Sequence, residues 1–280
     1  MHVRHALLTL LAAALLAGCA VDPTPPRAAV ALLAPFEGRY REVGYAALYP
    51  ARLALADAGT GTLDLLPVDD GGSVESAVER ARALVIDARV KAVIVVGYTA
   101  SSDAVQQVFD TMPVIIAGDW GARPARPNTF ILSNPRISAE LASAARFSVT
   151  TAAQRPAPLL GGDVLGLEGF RKLRDDLDGV TLLTSASPID DDFHARILAS
   201  DRFAVEPDHL AGLVYDAVGM TAAVLINNVQ MDRAQAALAL ADLRYEGYSG
   251  TISFDSGGYW EGAPINALIY DDSGALVLAD

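Results

Sequence analysis

Short apolar runs alternate with helical segments along most of this chain, and this alternation limits the folds that it can adopt. The run Val90–Val96 is continuous and rich in β-branched residues, which is typical of a strand buried on both faces of a sheet. Similar runs cover Ala28–Ala34, Thr62–Val68 and Val114–Ala117, with helical stretches between them. This order predicts a doubly wound parallel sheet with helices on both faces.

The second half of the chain shows the same kinds of segment at less regular spacing. The pattern predicts strands at Thr129–Leu132 and Val180–Thr184, an alanine-rich helix at Ser138–Gln154 and a long helix at about 208–228. Two further short strands near the C-terminus are joined through a glycine-rich turn. The whole pattern belongs to the α/β class, and the sequence contains no internal repeat.

The N-terminus has the pattern of an export signal. Arg4 precedes an apolar run, Ala6–Ala17, and a pair of small residues leads to Cys19, the single cysteine of the chain. Bacterial lipoprotein signal peptidase reads this pattern, so residues 1–18 are predicted to be a lipoprotein signal peptide and Cys19 the lipidation site. Residues 19–27 are rich in proline and form an extended tether. A plain secretory signal and a short membrane helix are the alternatives, although a bilayer needs about 20 apolar residues.

The net charge argues against nucleic acid and anionic membrane surfaces as partners, and the cysteine content excludes a disulfide within the chain. The formal net charge is −13, whereas phosphate backbones are bound by clustered Lys and Arg. We therefore expect no nucleic acid partner, and no attraction to an anionic membrane surface beyond the lipid on Cys19. A single cysteine also means that no disulfide within the chain supports the fold.

Catalytic and metal-binding motifs are absent from the sequence. It contains no G-x-S-x-G elbow, no P-loop and no H-E-x-x-H pair. His194 and His209 lie among polar residues and are expected at the surface. Three consecutive acids, Asp190–Asp192, fit no calcium loop and are typical of a helix N-terminus. We therefore expect neither an enzyme nor a bound metal or cofactor.

Three loops follow predicted strands, and ligands of open α/β sheets bind beside such loops. The first loop, residues 36–41, offers Tyr40 and Arg41 to cover or neutralise a ligand; a solvated surface loop is the alternative. The third loop, residues 118–121, offers Trp120 for stacking. Packing of this tryptophan in the core or between lobes is the alternative.

The second loop, residues 97–102, has the composition of a carboxylate site. Hydroxyl groups and free backbone N–H groups at the start of a helix bind anions readily. Helix capping by one of the two serines is the alternative. The candidate ligand-binding residues of this loop are Tyr98, Thr99, Ser101 and Ser102.

Six segments together resemble the type I periplasmic ligand-binding proteins of the branched-chain amino acid class, which serve ABC transporters. Each motif is short, but their order along the chain makes the resemblance specific. They are VALLAPFEGRYREVGYAALYPARLALAD at 30–57, VDDGGSVESAVERARALVIDARVKAVIVVGYTAS at 68–101, LLGGDVLGLEGF at 159–170, DGVTLLTSASP at 178–188, PDHLAGLVYDAVGMTAAVL at 207–225, and YEGYSGTISFDSGGYWEGAPINALIYDDSGAL at 245–276.

The resemblance implies a two-lobed type I periplasmic-binding fold and an extracytoplasmic, lipid-anchored bacterial receptor. It would hold an amino-acid-like solute between its lobes and present it to an ABC permease. The Ser/Thr-rich second loop would bind the carboxylate of the ligand. The implied division is lobe 1 at 28–128, lobe 2 at 129–206, return helices of lobe 1 at 207–250, and closing strands at 251–280.

Asp163 lies where the family often places an acid against the ligand's ammonium group; a surface turn is the alternative. Between Phe147 and Pro158 the family would have two more strand–helix units, so the second lobe is expected to be abbreviated. Two other interpretations remain open: a ligand-free scaffold or sensor lipoprotein, and a decaying paralogue that folds poorly.

Overall fold

The computed structural model describes residues 27–59, 61–143, 159–173, 177–226 and 228–279. The predicted signal peptide, Cys19 and nearly all of the tether lie outside the described residues. So does the part of the predicted helix Ser138–Gln154 that follows residue 143; residues 137–143 are helical.

The larger sheet contains five parallel strands in the order β2-β1-β3-β4-β5. Its three central strands are almost entirely buried, as their largely apolar sequences predict. The predicted doubly wound parallel sheet is therefore confirmed. The strands are β1 Ala28–Ala34, β2 Leu63–Asp69, β3 Val90–Val95, β4 Val114–Ala117 and β5 Thr129–Leu132.

The seven labelled helices differ in length and in how they begin. Asp190 caps α5, accepting a hydrogen bond from the backbone N–H of Phe193 at 2.8 Å, so the predicted helix start at Asp190–Asp192 is confirmed. Ser73 likewise caps α2, accepting from the backbone N–H of Ser76. The helices are α1 Arg41–Asp57, α2 Val74–Ile86, α3 Asp103–Gln106, α4 Glu168–Arg171, α5 Asp191–Ser200, α6 Ala211–Leu225 and α7 Arg233–Ala241.

The smaller sheet contains four strands in the order β11-β10-β7-β6 and forms the abbreviated second lobe. Strands β6 and β7 are parallel, whereas β10 runs antiparallel to both β7 and β11. The strands are β6 Leu159–Gly161, β7 Val180–Thr184, β10 Asn266–Tyr270 and β11 Leu276–Leu278. A separate hairpin joins β8 Tyr245–Gly247 to β9 Gly250–Ile252.

Two of the predicted lobe boundaries need correction. The predicted second lobe, 129–206, includes strand β5, but β5 pairs with β4 in the larger sheet. The segment 251–280 was treated as one closing unit, but β9 pairs with β8 while β10 and β11 extend the smaller sheet. Local sequence defines a strand, whereas its sheet depends on contacts between residues far apart in the chain.

Hydrogen bonds tie the connections between the two sheets to one another. Ser185, which follows β7, accepts from the backbone N–H of Asn134 and donates to the carbonyl of Pro264, both at 2.8 Å. Asn134 follows β5 and donates through Nδ2 to the carbonyl of Ala263. These bonds fix the point where the chain passes between the lobes.

Helix α6 returns the chain to the larger lobe and is buried on almost every side. A helix that is apolar all round packs in a core, and α6 packs against α1, β3 and β4. Its Asp216 is fully buried and accepts from the backbone N–H groups of Tyr248 and Ser249 at 2.7 and 2.8 Å. Among the described residues, no helix is both long enough and apolar enough to cross a lipid bilayer.

Candidate functional site

The first loop is held in place by a carboxylate that the sequence analysis did not single out. Asp69, at the end of β2, accepts through Oδ1 from the backbone N–H groups of Phe36 and Glu37 at 2.7 and 2.9 Å. Tyr40 is exposed, and Arg41 begins α1 with an exposed side chain. Arg41 makes no hydrogen bond or ion pair with any described residue. Asp69 is an acidic residue at the end of a strand that lies beside another parallel strand. This position is the sequence signal that could have identified it.

One of the two serine hydroxyls of the second loop is hydrogen-bonded within the loop itself. Ser101 is buried and donates through Oγ to the carbonyl of Tyr98 at 3.3 Å. Ser102 stands at the N-cap position of α3, but its side chain makes no capping hydrogen bond, and its buried Oγ has no partner among the described residues. Thr99 is partly exposed. The capping alternative is therefore not observed.

The third loop packs its tryptophan inward. The indole of Trp120 is buried and donates to the carbonyl of Ala117 at 2.8 Å. The ring of Tyr98 meets it edge to face, with 5.3 Å between ring centroids, and Tyr98 itself is 59% exposed. Burial and then the charges of Asp119 and Asp163 raise the pKa of Tyr98. Tyr98, Trp120 and Asp163 thus lie in one neighbourhood.

Asp163 joins the smaller lobe to the larger one. Its Oδ2 accepts from the backbone N–H of Asp119, in the third loop, at 2.6 Å. Its Oδ1 accepts from Nε2 of His209, which precedes α6, at 3.0 Å. Both side chains of this pair are 1% exposed. The surface location expected for His209 is therefore wrong, and so is the surface-turn alternative for Asp163.

The buried surroundings of His209 shift its pKa. Burial by itself opposes the imidazolium form of His209, but the hydrogen bond and charge of Asp163, the charge of Asp208 and the Gly166 backbone together raise its pKa above the usual 6.5. Burial also raises the pKa of Asp119, and the charge of Asp163 adds to this effect. No local pattern marks His209, because its partner is 46 residues away.

A cleft of about 630 Å³ lies between the first turn of α1 and the smaller lobe. Of the eight predicted ligand-binding residues, Arg41 lines it and the other seven do not. Its walls come from α1, α4, the loops that follow β7 and precede α6, and the β10–β11 hairpin. The lining residues are Arg41, Glu42, Tyr45, Ala46, Gly166, Glu168, Arg171, Lys172, Pro188, Ile189, His194, Val205, Glu206, Pro207, Asp208, His209, Tyr270, Gly274, Ala275 and Leu276.

Most ionic groups of this cleft are paired with each other. Lys172 contacts Glu42 at 2.8 Å and Glu168 at 3.6 Å, and Arg171 contacts Glu168 at 2.7 Å. These pairs connect α1 of the larger lobe with α4 of the smaller lobe. His194 and Glu206 form a further pair on one side, with 2.8 Å between Nε2 and Oε2.

Asp208 differs from the other acids of the cleft. Its side chain is partly buried and accepts from the backbone N–H of Leu210 at 2.9 Å, and no described side chain donates a hydrogen bond to it. Burial raises its pKa, although the charge of His209 opposes that effect. Within the described ranges, no group of three or more His, Cys, Asp or Glu is arranged to hold a metal ion.

Comparison with known proteins identifies the family of this chain. The family model described as "Periplasmic binding protein" matches residues 28–169. Among curated proteins, none matches the chain significantly.

Many solved structures share the fold. The isoleucine complex of LivJ, the branched-chain amino acid transporter substrate-binding protein of Streptococcus pneumoniae, is 14% identical, with a TM-score of 0.71 over 90% of this chain and 99% of that one. The leucine-binding protein LivK of Thermotoga maritima is 14% identical, with a TM-score of 0.70 over 90% and 98%. An ABC-transporter solute-binding protein from R. palustris, in complex with benzoate, is 15% identical, with a TM-score of 0.66 over 90% and 95%.

Proposed function

Because this chain belongs to the periplasmic binding protein family, we propose that it is the solute-binding protein of an ABC importer, anchored outside the cytoplasm by a lipid on Cys19. Its solute is a small, amino-acid-like molecule held between the two lobes. Its macromolecular partner is the permease of that importer.

The cleft between α1 and the smaller lobe is the observation that carries this proposal. Its volume of about 630 Å³ falls within the range of small-molecule sites, about 300–1,000 Å³. Charged groups of both signs and apolar side chains line it together, which suits a solute with polar ends and an apolar body. A solute that contacts both lobes favours the closed arrangement, and closure would be the signal read by the permease.

We propose indirect roles for the other predicted contact residues. Tyr40 and Tyr98 are exposed in the first and second loops and do not line the cleft, so they would meet a solute only as it approaches. Ser102 contributes an unpartnered hydroxyl, and Thr99 lies beside it. Ser101 would act by holding the second loop in position, and Trp120 and Asp163 by holding the third, because each is buried and hydrogen-bonded within the protein.

Thermal unfolding of a soluble form that begins at Ala20, with a panel of amino acids, small amides and short peptides, tests the solute. A ligand at a hundred times its dissociation constant stabilises the folded state by about 2.7 kcal/mol, which moves the midpoint by several degrees in a protein of this size. Unchanged midpoints with every compound would contradict solute binding.

The lipid anchor needs a separate measurement. In bacterial cells that express the full chain, a radiolabelled fatty acid should be incorporated into the protein and lost in Cys19→Ala. A wild-type chain that remains unlabelled would contradict the anchor and leave solute binding untouched.

A second candidate function is a ligand-free scaffold or sensor lipoprotein. The contact of Asp163 with His209 and with the Asp119 backbone favours it, because the carboxylate expected to meet a ligand already has two partners within the protein. For this candidate we expect a sharp, cooperative unfolding transition that no compound of the panel moves.

A further inference from the structure

We infer that Asp163, Gly166 and His209 form a latch that keeps the two lobes closed and that opens when His209 loses a proton. The latch would make the separation of the lobes depend on pH. It would act whatever the solute is, because every contact in it joins groups of the protein itself.

The latch lies where a turn of the smaller lobe meets the larger lobe. Asp163 and Gly166 begin and end this turn, which follows β6 and packs against β7. Oδ1 of Asp163 accepts from Nε2 of His209 at 3.0 Å, and Oδ2 accepts from the backbone N–H of Asp119 at 2.6 Å. Both donors belong to the larger lobe. These bonds therefore join the lobes directly, and they need no solute to bridge them.

The second nitrogen of the imidazole faces the same turn of the smaller lobe. Nδ1 of His209 is buried and has no hydrogen-bond partner among the described residues. The backbone of Gly166 passes so close that a Cβ added there would lie 2.5 Å from Nδ1. Neutral imidazole donates through one nitrogen, whereas imidazolium donates through both. Because Nε2 already donates to Asp163, the proton that titrates belongs to Nδ1, against the smaller lobe.

The charged groups around this proton are acids from both lobes. Asp163 faces His209 from the smaller lobe, and Asp208 faces it from its own segment. Further out, Asp119 faces Asp163 from the third loop, and Glu168 faces Asp208 from α4. Burial opposes the imidazolium form, but the hydrogen bond with Asp163 and the charges of Asp163 and Asp208 help to raise the pKa of His209 above 6.5. A neutral ring would leave Asp163 buried without its counter-charge, which is costly.

Loss of this proton should therefore weaken closure. When the lobes separate, water reaches His209, and its pKa should return toward the usual value of about 6.5. The closed form thus binds the proton more tightly than the open form, and by reciprocity the proton favours closure. That stabilisation is fully present below about 6.5 and is lost as pH rises through the higher pKa of the closed form.

The other charged contact between the lobes is exposed. Lys172 of the smaller lobe meets Glu42 of α1 at 2.8 Å, and their side chains are 57% and 40% exposed. Exposed ion pairs contribute little and are screened by salt. Lys172→Gln should therefore leave the lobes closed, whereas loss of the buried latch should open them.

Single-molecule energy transfer between dyes on the two lobes tests the latch. Arg39→Cys, just before α1, and Asp272→Cys, in the β10–β11 turn, are exposed sites beside opposite walls of the cleft. Cys19→Ser removes the only native cysteine. With no solute added, we expect high transfer efficiency at pH 6 and a growing population of low efficiency toward pH 9. The open-to-closed ratio should rise by up to about ten-fold per pH unit.

Two pairs of variants assign the opening to the latch. His209→Gln can still donate a hydrogen bond but cannot titrate, so its transfer efficiency should not change with pH, whereas the exposed His194→Gln should respond as the wild type does. Gly166→Ala places a methyl group against Nδ1 and should favour the open form at every pH. Gly162→Ala is its control, because the nearest described atom would lie 3.5 Å from the new Cβ, an ordinary contact.

The latch and the proposed function can fail separately. Constant transfer efficiency of the wild type from pH 6 to 9, a pH response that survives in His209→Gln, or equal efficiencies of the two glycine variants would overturn the latch. If His209→Gln does not fold, the wild-type series and the glycine pair still decide. A protein that opens with pH but binds no solute would keep the latch and lose the proposed function.

Discussion

Oδ1 of Asp163 lies 3.0 Å from Nε2 of His209, and each side chain is 1% exposed. Asp163 belongs to the smaller lobe, whereas His209 leads into α6 of the larger lobe. The second carboxylate oxygen accepts from the backbone of Asp119 in the third loop. Because buried charges are costly unless they are paired, this contact couples the position of the smaller lobe to the larger one.

Asp163→Asn should strongly destabilise the protein. The substitution leaves the buried imidazole without its anionic partner, and breaking a buried pair in this way typically costs about 3–5 kcal/mol. Urea unfolding measures the difference. Asp272→Asn, which neutralises an exposed turn residue, should change stability by less than about 0.5 kcal/mol. Equal effects of the two variants would mean that the pair contributes no interlobe stabilisation.

The stability of the protein should fall as pH rises above about 6.5. The folded state holds the proton of His209 above the usual pKa of 6.5, so its stabilisation is fully present below that value and is lost as pH rises through the folded pKa, by up to about 1.4 kcal/mol per pH unit. Buried acids with raised pKa values, such as Asp119 and Asp208, contribute in the same direction from about 3.8 upward.

Unfolding free energies between pH 6 and 9 test the role of His209. The slope above 6.5 should disappear in His209→Gln and in Asp163→Asn. His194→Gln is the matched control, because its imidazole and its partner Glu206 are both exposed and such pairs contribute little. A slope that survives in His209→Gln would assign the titration to another group.

Two glycines of the third loop give a matched test of its packing against the smaller lobe. Both Gly118 and Gly121 have positive φ, +93° and +69°, so alanine strains either position by about 1 kcal/mol. Only at Gly118 does the new Cβ meet Leu210 and Asp163. We expect Gly118→Ala to cost about 1–3 kcal/mol more than Gly121→Ala in urea unfolding. Equal costs would show that the loop can move away from Asp163.

Asp69 should control both stability and the position of the first loop. Asp69→Ala removes the acceptor of the Phe36 and Glu37 N–H groups and should cost about 1–3 kcal/mol. It should also weaken solute binding, because that loop leads directly to Arg41. Asp64→Ala, on the same strand with an exposed partner, Arg27, should cost less than about 1 kcal/mol. Calorimetry and urea unfolding of both variants test this.

Much of the larger lobe could be predicted from local patterns. The largely apolar runs that became β1, β3 and β4 are buried on both faces, and the helix start at Asp190 forms as expected. Such features depend on neighbouring residues, so the printed sequence reveals them. The loops that follow these strands could likewise be identified as candidate sites, because a parallel sheet brings those ends to one edge.

The partners of individual side chains could not be predicted in this way. His209 lies among polar residues in the sequence, yet it is buried because Asp163, 46 positions earlier, supplies its counter-charge. Strand β5 follows the larger lobe's strands directly, yet its sheet was assigned wrongly because pairing is decided between segments.

The sequence by itself therefore determined the α/β class and the strand–helix order, since these follow from local periodicity and from the geometry of parallel sheets. Only the tertiary structure decided that Asp163 is bonded within the protein and that Arg41 and Asp208 share an open cleft. Those facts depend on how two lobes pack against each other, and burial, charge pairing and open volume are properties of that packing.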